Sequence, residues 1–146
     1  MKPLFFILTA LLSFGSLKSD AQEIQVSTAV SNAFHHAFKN ASQVEWKDGG
    51  NFYKADFVLN GQYVTAFFNT DAKLMAVTKN ISPVQLPITL QNNLKTAYDE
   101  YWVSELFELS DESGTSYYVT VEDGESRITL KSFGNNWSTF KKSRKS

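Results

Sequence analysis

The dipeptide Asn60-Gly61 constrains this chain more than any other feature, because it sits between two runs in which apolar and polar residues alternate. A two-residue hairpin loop needs positive φ at both central positions, which asparagine and glycine tolerate and most residues do not. The register follows. With Leu59 facing Gln62, Phe57 pairs with Val64, Ala55 with Ala66 and Tyr53 with Phe68, all on one face because side chains alternate along a strand. That face is apolar and calls for a covering layer. The opposite face carries Lys54, Asp56, Val58, Tyr63, Thr65 and Phe67, a mixed surface with aromatics on it.

The covering layer is found just upstream. Val30, Ala33, Phe34, Ala37 and Phe38 recur at helical spacing, with Ser27 or Thr28 as the N-cap and an end near Asn40. Val44 to Lys47 alternates as a first strand, Asp48-Gly49-Gly50 is a turn signal, and Lys73 to Lys79 follows the hairpin as a further strand. Pro83 and Pro87 then mark a boundary, since proline blocks ladder pairing but suits the first turn of a helix. Beyond it, Leu90, Leu94, Ala97, Tyr98 and Tyr101 predict a second amphipathic helix that ends near Tyr101 or Trp102. Val103 to Ser110 and Ser116 to Glu122 read as strands, and Asp123-Gly124 as a second two-residue turn that sets Val119 against Ile128 and Tyr117 against Leu130. That register puts Glu122 opposite Glu125, like charges across a pair, which argues for a longer loop. Tyr118, Thr120, Arg127, Thr129 and Lys131 point to the other face, and Trp137 to Lys141 closes the chain as a short strand.

The halves read as versions of each other. Shifted by about 64 residues, Val30 falls on Leu94, Phe34 on Tyr98, Phe57 on Val121 and Val64 on Ile128. One helix with four strands is too small to be stable alone. Two such units, about residues 27–79 and 86–141, therefore predict a single α+β domain over 22–146, a tandem repeat of helix plus antiparallel strands joined into one continuous sheet with helices on one face.

Before the domain stands a leader. Met1-Lys2-Pro3 is basic, Leu4 to Phe14 apolar, and Ser19-Asp20-Ala21 offers small residues for cleavage after Ala21, so 1–21 reads as a signal peptide and the chain as exported to the periplasm or extracellular space. The apolar run is too short to span a bilayer. The chain has no cysteine, which excludes disulfides, thiol nucleophiles and zinc-thiolate sites. Without Lys2, Lys18 and Asp20 it carries 12 basic and 14 acidic side chains, and Lys141, Lys142, Arg144 and Lys145 crowd the C-terminus as a frayed, solvated tail. The body is acidic, which argues against nucleic acid as partner.

The signal peptide, the helix bearing Ala33-Phe34, Val44-Glu45-Trp46, Tyr53-Lys54-Ala55-Asp56-Phe57, Asn60-Gly61, Leu86-Pro87 and the segment Tyr98-Asp99-Glu100-Tyr101 together resemble the β-lactamase-inhibitor-like, PepSY-like domain proteins exported by Bacteroidetes. The resemblance covers nearly the whole mature chain. It implies tandem helix-plus-sheet repeats with one open sheet face, a face that β-lactamase inhibitor proteins use to grip an enzyme. It carries over no contact residues, since the matching motifs belong to the scaffold.

Chemistry has few candidates. His35 and His36 are adjacent on a helix, about 100° apart, so they cannot chelate one metal from one face. There is no His-Glu-x-x-His, no Gly-x-Ser-x-Gly and no phosphate loop, hence no catalytic residue, metal site or cofactor to assign. Asp111-Glu112-Ser113-Gly114 lacks the alternation of a calcium loop, and the acids around it read as solvated surface. The sharper candidate is the open face. Tyr63, Phe67 and Tyr118, flanked by Lys54, Arg127 and Lys131, combine rigid aromatic area with cationic donors, the composition of a protein interface. The expected function is a non-enzymatic module binding an envelope or extracellular protein or peptide, such as a hydrolase to be inhibited. The other reading is a small-molecule or lipid carrier with a cavity between helices and sheet.

Overall fold

The computed structural model describes residues 24–146; the leader read at 1–21 lies outside the described residues. Two α-helices and eight strands follow the order α1 Thr28–Ala37, β1 Ser42–Asp48, β2 Phe52–Leu59, β3 Gln62–Asn69, β4 Leu74–Asn80, α2 Ile88–Ala97, β5 Trp102–Asp111, β6 Gly114–Glu122, β7 Ser126–Phe133 and β8 Asn136–Arg144. The strands form one antiparallel sheet whose order in space is their order in sequence. By contacts the chain divides into two compact units, one running to Gly61 and taking in Thr65–Met75, the other made of Gln62–Val64 and Ala76–Ser146.

In the first unit α1 begins at Ser27, whose hydroxyl accepts from the Val30 amide at 3.2 Å. It ends three residues before the expected Asn40, with Phe38 as its C-cap. Its buried face is Val30 and Phe34. Phe34 is the hub, with ring centroids 5.0 Å from Phe57, 5.3 Å from Trp46 and 6.4 Å from Phe68. These contacts seat the helix on the face of β1, β2 and β3 that bears Trp46, Ala55, Phe57 and Phe68. The hairpin turn is as expected, with Asn60 and Gly61 at φ 51° and 78°. Thr65 donates to Asp56 at 2.6 Å, as the Leu59-to-Gln62 register requires. Gly49 serves packing instead. The Phe52 ring lies against its backbone where a β-carbon would overlap it.

In the second unit Ser82 and Gln85 form a capping box around a single 3-10 turn, Pro83–Gln85, that leads into α2. The helix stops at Ala97, four residues short of the expected Tyr101. Tyr98 and Tyr101 keep a spacing of three because a turn joins them, with the Tyr101 amide donating to the Tyr98 carbonyl at 3.1 Å and the two rings edge to face. Leu90 and Leu94 pack with Leu86 on Leu106, Val119, Val121, Ile128 and Leu130. The last strand is tied to the helix by the Trp137 indole, which donates to the Leu90 carbonyl at 3.0 Å, and by Asn93, which donates to the Asn135 carbonyl at 2.6 Å.

The second hairpin corrects the expected register. Val119 faces Leu130 and Val121 faces Ile128, while Glu122 faces Arg127 and not Glu125. The loop is longer because the Asp123 carboxylate accepts the amides of Glu125 and Ser126, at 2.8 and 2.7 Å, and turns the chain before Ser126. Those two amides also hold the Asp123 carboxyl below its ordinary range. The shift is of two residues in partner number, so no side chain changed face.

Candidate functional site

In each unit the sheet has a face that the helix does not touch. In the first, Asp56 gathers that face together. Its carboxylate accepts the Thr65 hydroxyl and pairs with Lys54 at 3.3 Å and Lys47 at 3.7 Å. Beside it Phe52 and Phe67 lie with ring centroids 6.0 Å apart.

In the second unit the corresponding face is aromatic. Tyr118 stacks on Phe107, centroids 5.2 Å apart and planes at 11°, and meets Phe140 edge to face at 5.6 Å. The Lys131 ammonium sits 5.7 Å from the Tyr118 ring centre. Strand pairing places these groups: Tyr118 is opposite Phe107 on one side and Lys131 on the other. Thr120 and Thr129 continue the row with hydroxyls 3.1 Å apart. Tyr118 is only 1% exposed, and among the described residues no group lies in good hydrogen-bond geometry to its hydroxyl. Burial pushes its pKa up to about 12, partly offset by the Ser116 side chain. At neutral pH the group is therefore a neutral O–H.

The row ends in a charge cluster. One oxygen of Glu122 receives Lys145 at 3.1 Å and Arg127 at 3.2 Å. The Ser104 hydroxyl, then Lys145 and Arg127, hold the Glu122 carboxyl down to about 2 against the opposing effect of burial. Lys145 also donates from its side chain to the Asp123 carbonyl at 2.7 Å, from its backbone to the Glu125 carbonyl at 2.8 Å, and stands 4.4 Å over the Trp102 ring. The basic C-terminus is thus no frayed tail. β8 runs to Arg144 and the next residue is anchored.

Of the six residues expected on an open face, Tyr118 and Lys131 are brought together. Lys54 is committed to Asp56 and Arg127 to Glu122. Tyr63 is 69% exposed, as expected, but Phe67 and Tyr118 are buried at 0% and 1%, so the aromatic row is packed and not solvated. Phe67 packs on Phe52, and Tyr118 is enclosed by Phe107, Phe140 and the Lys131 side chain. Phe107 and Phe140 escaped the sequence reading because Leu106-Phe107 breaks the alternation of β5 and the Thr129/Leu130 irregularity breaks that of the β7 to β8 pairing. His35 and His36 are exposed, and no group of metal-ligating side chains occurs among the described residues. No helix among them is long and apolar enough to cross a membrane.

The eight-stranded antiparallel sheet with two helices among the described residues is consistent with a BLIP-like fold. The chain is similar to a BLIP-like protein from Bacteroides fragilis, with a TM-score of 0.71, 22% identity and coverage of 86% of this chain and 90% of that one. It is similar also to a DUF2874 family protein from Bacteroides uniformis, at 0.72, 16%, 82% and 90%. A third likeness, to a protein of Bacteroides eggerthii assigned provisionally to the periplasm, gives 0.74, 15%, 83% and 90%. At these identities the likeness is one of fold. No family model and no curated protein matches the chain.

Proposed function

We propose that this chain is an exported, non-enzymatic binding module whose sheet presents a face to a protein or peptide partner of the envelope or extracellular space, an exported hydrolase or peptidase being the partner class. The observation that carries the reading is the partly exposed pair Phe140 and Lys131, backed by the buried rings of Phe107 and Tyr118, on a face of the second unit that α2 leaves uncovered. Interfaces favour aromatic groups with cations at their edge, and rings already packed against one another need less ordering on binding. Export is supported by the leader-like start of the sequence and by the provisional periplasmic assignment of one similar structure.

The same reading takes the chain as a tandem repeat. In its support, Thr28–Ala37 and Ile88–Ala97 lie 60 residues apart, and Gln62–Asn69 and Ser126–Phe133 lie 64 apart. The unequal spacings place the extra residues between helix and hairpin, where β5 has 10 residues and β1 has 7. A constant shift of 64 misaligns the helices, whose buried pairs are Val30 with Phe34 and Leu90 with Leu94.

Capture from an envelope extract by the immobilised chain tests the function. Tyr63→Ala with Lys131→Glu alters two side chains that are not fully buried. The expected result is loss of the captured protein with an unchanged circular dichroism spectrum and melting point. Undiminished capture by the folded double variant would remove the face from consideration, and turnover of a substrate that tracks one side chain would replace binding with catalysis.

A further inference from the structure

We propose that the free edge of β1 accepts an extended, basic segment of another protein as an added strand, with a lysine or arginine set opposite Glu45. The edge is a different surface from the face described above and does not depend on it. Among the described residues β1 has a neighbour on one side only, β2. The Gly49 amide donates to the Phe52 carbonyl at 2.9 Å, which makes that opposed pair a hydrogen-bonded one. Alternation along an antiparallel ladder assigns the next such pairs to Lys47 with Lys54 and to Glu45 with Asp56. The amides and carbonyls of Trp46 and Asp48 therefore turn away from β2, towards the edge. No residue of β1 is fully buried.

The edge is short and lightly guarded. An irregularity that holds Gln43 at φ 54° interrupts the register before Glu45, so Glu45 to Asp48 is the regular stretch. Its one cation, Lys47, is drawn inward to Asp56 at 3.7 Å, whereas lysines left free are what usually protects an open edge. Charge then selects the occupant. Glu45 stands directly opposite Asp56, like charges across a pair. Asp56 already holds Lys47 and Lys54, and Glu45 has no ion pair among the described residues. An added strand meets Glu45 at a non-hydrogen-bonded position, where opposed side chains come closest, and a cation there offsets the repulsion. The residues flanking that cation point to the other face, beside the half-buried Trp46, and suit apolar groups.

The test titrates the purified, isotope-labelled chain with acetyl-Val-Thr-Val-Lys-Val-amide and with its glutamate counterpart, following backbone amide shifts and hydrogen exchange. The lysine peptide is expected to bind about fivefold tighter, the upper scale of one cross-strand charge pair, and to lose that margin in high salt. It is also expected to slow exchange of the Trp46 and Asp48 amides. Glu45→Gln removes the preference and Glu45→Lys reverses it; Glu45 is exposed, so neither variant disturbs the core. Equal affinity for the two peptides, a preference that Glu45→Lys leaves unchanged, or effects that spare Trp46 and Asp48 overturn the proposal. So does the absence of binding by either peptide. A concentration-dependent rise in the mass of the chain alone that Glu45→Lys abolishes also overturns it, since the edge would then belong to a second copy.

Discussion

Phe34 and Glu122 show how differently single residues hold this chain. Phe34 is 1% exposed and touches rings from β1, β2 and β3, so Phe34→Ala removes the contact that seats α1. A cost of about 3–5 kcal/mol is expected, the range for a buried phenylalanine cut to alanine, and urea unfolding measures it. Glu122 works through its protonation. Its carboxyl is held down to about 2 from an ordinary 4.5, so the folded state binds the proton more weakly than the unfolded one. The stabilisation is fully present above the unfolded value and fades as pH falls from about 4.5 towards 2. Glu122→Gln should flatten the acid limb of the stability curve in that window and leave the rest of its shape alone. Chemical denaturation at a series of pH values decides this; an unchanged acid limb would show that the Lys145 and Arg127 contacts are not felt in solution.

Among elements, β8 is held outside the ladder at both ends, by the bonds of Trp137 and Asn136 to α2 and by Lys145, the residue that follows it. Lys145 reaches back to Glu122, Asp123 and Glu125, at the far end of the β6 to β7 hairpin. Removing Lys145 and Ser146 should speed amide hydrogen exchange over the last residues of β8, Lys141 to Arg144, by roughly tenfold or less, the scale of a surface-anchored contact. Exchange in α2 should not change. The sequence announced β8 only as Trp137 to Lys141, because lysines and serines carry no alternation to extend it, and an anchor 22 residues from its acceptor leaves no local pattern. Elements with a strong local signature were legible: the Asn60-Gly61 turn, the Ser27 cap and the prolines before α2. What failed was register that depends on a side chain bonding its own loop, as at Asp123, and helix length where a turn imitates helical spacing, as at Tyr98 and Tyr101. The candidate site was half legible, since Tyr118 and Lys131 could be placed on one face by parity while their partners Phe107 and Phe140 could not.

For the whole molecule, an open meander leaves two edge strands, β1 and β8, and edges invite pairing with another chain. β8 carries Lys141, Lys142 and Arg144, charges that make a second strand unwelcome. Lys141→Thr with Lys142→Val should therefore promote self-association, seen as a concentration-dependent rise in mass by light scattering, while the parent chain shows no such rise. The tryptophans give these experiments a built-in optical readout. Trp46 is packed against Phe34 and Phe68, Trp102 stands half in solvent beneath the Lys145 ammonium, and Trp137 is bonded to the backbone of α2. Three chromophores thus sit at three separate joints, and leaving any one of them unsubstituted turns its emission wavelength into a local gauge: helix α1 coming off its strands, the terminal clasp opening, or helix α2 letting go of the last strand.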